Sequence, residues 1–109
     1  MVAITVFVTE NGEYAGYRFE GHADSAPYGE DLVCAAASML AVITQNSLEV
    51  QHIPHEGKAD SGHVWVRLIP DEDEHRKIAA QAVLKTLAVG AEQLAKSYPK
   101  YINTKEQVI

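Results

Sequence analysis

The sequence predicts an α/β chain of the α+β type. A mostly antiparallel sheet carries two packed helices, in the order β-β-α-β-β-α, with room for a short C-terminal strand. Three observations lead there. The opening residues alternate, with Val2, Ile4, Val6 and Val8 on one face, and run into Asn11-Gly12, the strongest short hairpin signal. Two long stretches, Asp31 to about Asn46 and the segment after Pro70, are rich in helix formers at helical spacing. Between them lie two short β-like runs separated by a polar turn.

In order along the chain, the first strand covers Met1 to Thr9. The favoured hairpin turn asks for positive φ at both Asn11 and Gly12, and the second strand returns over Tyr14 to Glu20. Gly21 to Gly29 (GHADSAPYG) reads as a loop, with glycine at each end and proline inside. The helix DLVCAAASMLAVITQN is apolar almost all the way round, so it needs cover on more than one side, from the sheet and from a second helix or partner chain. Leu48 to Ile53 reads as a third strand and His63 to Ile69 (HVWVRLI) as a fourth, with His55 to Gly62 as the turn. The acidic run DEDE after Pro70 suits a helix start. Ile78, Ala79, Ala82, Val83, Leu87, Ala91, Leu94, Ala95 and Tyr98 then form one stripe up to Pro99, and Tyr101 to Ile109 is left as an edge strand or tail.

The 109 residues form one domain, 1–109, large enough to bury a core unaided by metal or disulfide. Nine Lys and Arg against fifteen Asp and Glu leave a net charge of −6, which speaks against duplex nucleic acid and suits a basic partner. A single cysteine excludes an internal disulfide and a cysteine-rich zinc site. No signal-peptide layout is recognised at the N-terminus and no apolar run approaches the ~18 residues of a membrane span, so a soluble, cytoplasmic domain is expected.

The chemistry concentrates between Gly21 and Ser38. Cys34 sits at the predicted start of a helix, twelve residues after His22 at the end of a strand. The first turn of a helix offers unpaired N–H groups and the positive end of the dipole, which favour a thiolate and can hold an oxyanion. An imidazole within reach can take the thiol proton and return it to a leaving amine. A small buried core cysteine and a surface histidine are the bland alternative. Asp31, at i − 3 from Cys34, either caps the helix or accepts the second ring N–H of His22. Ser38, at i + 4, either lines the pocket or bonds back to a helix carbonyl. His52, His55 and His63 are the remaining metal-like group, but strand alternation parts His52 from His55 and no carboxylate or cysteine completes a set. No metal and no cofactor are expected, and no glycine loop for phosphate is present in the sequence.

Gly21-His22-Ala23 followed by Gly29-x-Asp31-Leu32-Val33-Cys34-Ala35-Ala36-x-Ser38 resembles the signature of the ribosomal-processing cysteine proteases, the Prp family. The likeness runs over nearly the whole chain; Leu32 and Ala37 are conservative departures from the common isoleucine and valine. The resemblance implies a cytoplasmic homodimer that removes a short, aromatic-rich N-terminal extension from large-subunit ribosomal protein number twenty-seven. It implies His22 as general base and Cys34 as nucleophile. Asp31 and Ser38 stand beside them, Gly21 and Gly29 flank the site, and the loop Ala23 to Tyr28 orders over bound peptide. It also implies that the partner is that peptide and neither nucleic acid nor membrane. Two other classes stay open: a non-catalytic adaptor for a ribosomal protein, and a thiol redox sensor using a cysteine from another chain.

Overall fold

The computed structural model describes residues 1–21, 28–60 and 62–109, with the side chains of 28–31 outside the description. Strands β1 (Val2–Val8) and β2 (Tyr14–Glu20) form the expected hairpin, with Ile4, Val6, Tyr17 and Phe19 buried. The turn differs from expectation. Gly12 alone takes positive φ, at +81°, and its N–H donates to the Thr9 carbonyl at 2.9 Å, while the Thr9 N–H donates to Glu13 at 2.8 Å. The register slips between Phe7 and Val8. A longer loop with a bulge therefore replaces the two-residue turn, and glycine takes its left-handed corner.

Helix α1 (Tyr28–Val50) is longer than predicted at both ends, so residues 28 and 29 of the expected loop are helical. Val33, Ala37, Ala41, Thr44 and Leu48 form its buried stripe. Leu48–Val50 is therefore not the start of a strand: Leu48, fully buried, continues the helical stripe past the polar residues that looked like an end. The helix stops in a Schellman motif, with Ile53 N–H donating to Leu48 O and His52 N–H to Glu49 O, both at 3.0 Å. His52 takes the left-handed position, at φ +57°, that glycine usually fills. By length and composition, Leu32–Val50 is apolar enough to cross a membrane, with mean hydropathy 1.3 and 28% of it buried in the chain. This corrects the expectation that no stretch reaches that length, because averaging absorbs the isolated polar residues that interrupt the run.

Strands β3 (His55–Asp60) and β4 (His63–Leu68) form an antiparallel hairpin, and β4 pairs with β2. Helix α2 (Glu74–Ser97) packs against α1, and β5 (Ile102–Val108) adds to β1 in parallel. The sheet order is β3-β4-β2-β1-β5, mixed through its last pair. Most of the expected α2 stripe faces the core: Leu87 and Ala91 are buried and Ala79, Val83, Leu94 and Ala95 pack against it, joined by buried Ala80, Leu84 and Ala88, while Ile78 is 66% exposed.

The entry to α2 is fixed by charge. Asp73 caps it, its Oδ1 accepting the Arg76 N–H at 2.9 Å. Arg76 Nε and Nη2 donate to the two oxygens of Asp71 at 2.7 and 2.9 Å, and the Asp73 N–H adds a third bond. These donors, the Arg76 guanidinium first, lower the Asp71 pKa to about 2. A depressed carboxyl stabilises the fold above its unfolded value near 4 and loses that contribution as pH falls toward 2. In urea titrations, the stability of Asp71→Asn should therefore fall less between pH 4 and pH 2 than that of the unchanged chain.

Candidate active site

Tyr17 anchors α1 on the sheet. Its side chain is fully buried in β2 and its O–H donates to the Ala41 carbonyl of α1 at 3.0 Å. Two turns earlier on the same helix, half-buried Cys34 packs against the core. It opens on a pocket of 360 Å³ at the end of β2, where α1 contributes Cys34, Ala37, Ser38 and Ala41. Val2, Phe19 and Gly21 form a second wall, and Asp60, Gly62, His63 and Val64 of the β3–β4 hairpin form the third. The space exists because Gly21, Gly62, Ala37 and Ser38 are small.

Gly21 ties these walls together. Its N–H donates to the Gly62 carbonyl at 2.9 Å, and its φ is +97°. A Cβ there would meet the Met1 carbonyl oxygen, so backbone and space both demand glycine. His22 follows directly, and with Ala23 to Pro27 it lies outside the described residues. Gly29 falls in the first turn of α1.

Two expectations change with the longer helix. Asp31 is the fourth residue of α1 and so does not cap it, and Cys34 is the seventh, one full turn beyond the free N–H groups. A dipole effect confined to the first turn does not reach the sulfur at full strength. The structure brings Cys34 and Ser38 into one pocket with Gly21. It also brings Asp60 and His63, which sequence reasoning missed. His63 opens the expected fourth strand, but Asp60 ends β3, which runs through residues read as a turn, and nothing local tells at which end of the sheet that hairpin arrives. The metal-like histidines do not converge, since His55 pairs with Leu68 and His63 with Asp60, at opposite ends of the hairpin.

Comparison with known proteins decides the class. The family model described as cysteine protease Prp matches residues 1–103. The chain belongs to the Prp cysteine protease family, which acts in ribosomal processing. The ribosomal processing cysteine protease Prp of Staphylococcus aureus is 26% identical over 107 residues, covering 94% of this chain and 95% of that one. The fold of the S. aureus Prp in complex with a substrate peptide matches with a TM-score of 0.85 at 24% identity, covering 98% of this chain and all of that one. A Streptococcus mutans structure matches with a TM-score of 0.79 at 24% identity, covering 100% of this chain and 96% of the other. The element order of this Prp chain is the expected one, completed by β5.

The pocket wall gives a test of the geometry. Gly21→Ala should lower stability by about 1–3 kcal/mol in urea denaturation, from strain and the clash together. Gly12→Ala, where a Cβ meets open space, should cost only about 1 kcal/mol. Equal losses would remove the special status of Gly21.

Proposed function

We propose that the chain is a cytoplasmic cysteine endopeptidase that removes the short N-terminal extension of large-subunit ribosomal protein number twenty-seven, with Cys34 as nucleophile and His22 as general base. The observation that carries this reading is the Cys34 pocket: the chain's one thiol lines a cavity that also contains Gly21, the residue immediately before His22. The S. aureus relative captured with a substrate peptide supports a peptide as the ligand. A reducing compartment keeps the thiol available.

In this mechanism the His22 imidazole takes the Cys34 proton as Sγ attacks the scissile carbonyl carbon. The tetrahedral adduct collapses as His22 returns that proton to the leaving amine, which departs as the shortened protein. A water, deprotonated by His22, then attacks the thioester and releases the extension with a new carboxyl group. Asp31 accepts the second ring N–H of His22 and so orients it. Ser38 lines the cavity, and Gly21 and Gly29 let the intervening segment approach the peptide.

The protease reading also has a second copy of the chain as a partner. Leu32, Met39, Ile43 and Val50 are exposed at 58%, 56%, 58% and 74%. Together with the exposed Ala36 and Asn46 they repeat at alternating spacings of four and three, the seam of a helix pair. This is the side of α1 that the sheet leaves uncovered, and pairing it with itself buries it.

Cys34→Ala should lower cleavage of the ribosomal protein by about a thousandfold or more, with folding unchanged, as followed by mass spectrometry of the products. Asp31→Asn should slow cleavage without lowering the melting temperature. Wild-type cleavage by the Cys34→Ala chain would refute the assignment and leave the adaptor reading. Light scattering at micromolar concentration should give twice the 11.9 kDa chain mass. Met39→Glu with Ile43→Glu should give a monomer.

A further inference from the structure

At the end of β2 away from Cys34 the sheet opens. The pairing of β2 with β4 covers Gly16 to Glu20 and stops short of Tyr14. Helix α2 holds Tyr14 instead: its N–H donates to Gln81 Oε1 at 2.7 Å, and its carbonyl accepts from Gln81 Nε2 at 2.9 Å. Between this start of β2 and the segment Leu68 to Pro70 leaving β4 lies a groove of 750 Å³. Its apolar lining includes Ile53, Pro54, Leu68, Ile69 and Ile78. Ile69 and Ile78 are 43% and 66% exposed. Single exposed apolar residues are ordinary, but these gather around one depression.

The rim of the groove is acidic. Glu13, Asp71 and Glu74 line it, and Glu72 and Asp73 adjoin them. Against these five carboxylates stand Arg76 and Lys77, with Lys85 held 6.0 Å over the Tyr14 ring. Arg76 is engaged by Asp71, and Lys77 by Glu74 at 3.2 Å. Five carboxylates against three cations leave the rim with an excess of negative charge. An apolar floor under an acidic rim complements a polypeptide that carries lysine or arginine beside apolar residues.

We infer that this groove docks a basic segment of the protein substrate, at a site separate from the Cys34 pocket. The inference rests on the proposed reading that the substrate is a ribosomal protein, a class rich in lysine and arginine because its members bind RNA phosphates. At ~3.3 Å per residue, β2 sets the groove and the Cys34 pocket about 20 Å apart in a straight line, so a chain bound at both needs at least about six extended residues between them. Two modest contacts on one chain then act together, and cleavage favours the whole protein over a short peptide.

The test compares two substrates: whole ribosomal protein number twenty-seven with its extension, and a synthetic peptide reaching three residues to either side of the cut. Glu13→Lys with Glu72→Lys reverses the rim at two exposed positions outside helices and strands. It should raise KM for the whole protein about tenfold with kcat unchanged, and leave KM for the peptide as it was. Ile78→Asp probes the apolar part independently and should act in the same direction. Melting temperatures establish that both variants fold. An unchanged KM for the whole protein, or an equal rise for both substrates, overturns the inference. So does a change in oligomeric mass without a change in KM, which would make the groove a contact between copies. If the unchanged chain cuts neither substrate, the peptidase reading fails by itself. Calorimetric binding of the whole protein to Cys34→Ala, with and without the rim reversal, still decides the docking site, and equal affinities refute it.

Discussion

The hydrogen bond from Tyr17 to the Ala41 carbonyl is the contact on which the arrangement of this molecule turns. It joins the middle strand of the sheet to the middle of α1, and the phenol making it is wholly buried. Burial pushes the Tyr17 hydroxyl far above its ordinary ionisation range, so it stays protonated and remains a donor. A buried phenol without a partner would cost on the order of 1–3 kcal/mol, which penalises any other placement of the helix. Phe19, two residues on, stands edge-on to Tyr17 with ring centroids 5.7 Å apart and forms a wall of the Cys34 pocket. The clamp that seats the helix thus also sets how far the thiol stands from the sheet.

Small residues explain why a pocket remains there. The buried stripe of α1 is mostly alanine between Val33 and Leu48, which lets the helix lie close to the strands. Near Cys34 the same economy leaves space, because Ala37, Ser38, Gly21 and Gly62 project little into it. The Gly21 to Gly62 hydrogen bond then carries the β3–β4 hairpin to the site, and with it Asp60 and His63. A chain that needed bulkier side chains for stability at this corner would have filled the cavity.

The two ends of β2 have different fates for a simple reason of pairing. At the Glu20 end the strand is bonded on both sides, to β1 and to β4, and delivers Gly21 with little freedom. At the Tyr14 end the bond to β4 is replaced by the side-chain amide of Gln81, and the sheet parts around an apolar groove. Helix α1 shows a similar division around its axis. One narrow stripe is used by the core, while the side bearing Leu32, Met39 and Ile43 faces outward. Cohesion of the single chain does not require that side.

Much of this was legible in residue order. Alternation in Val2 to Val8, the return over Tyr14 to Glu20, and the two helix-forming stretches are local patterns, and each marks an element that exists. The segment from Gly21 to Ser38 stood out through residue types and spacing, and the structure gathers Gly21, Cys34 and Ser38 at one pocket. Tertiary contacts decided the rest. Leu48–Val50 alternates well enough for a strand, but burial of Leu48 draws it into the helix. The apolar arc of α2 is broad, and packing against α1 and the sheet centres its buried part on Leu84 and Leu87 and leaves Ile78 outside. Three more residues at the start of α1 move Cys34 away from the helix end, a boundary that short-range propensity leaves loose. The parallel placement of β5 and the arrival of Asp60 and His63 beside the thiol depend on strand pairings between distant segments. Sequence determined most of the elements and the residue types found at the pocket because those follow from neighbours a few positions apart. Register, buried face and the company of Cys34 needed the fold, because they are settled by residues far apart in the chain competing for the same core.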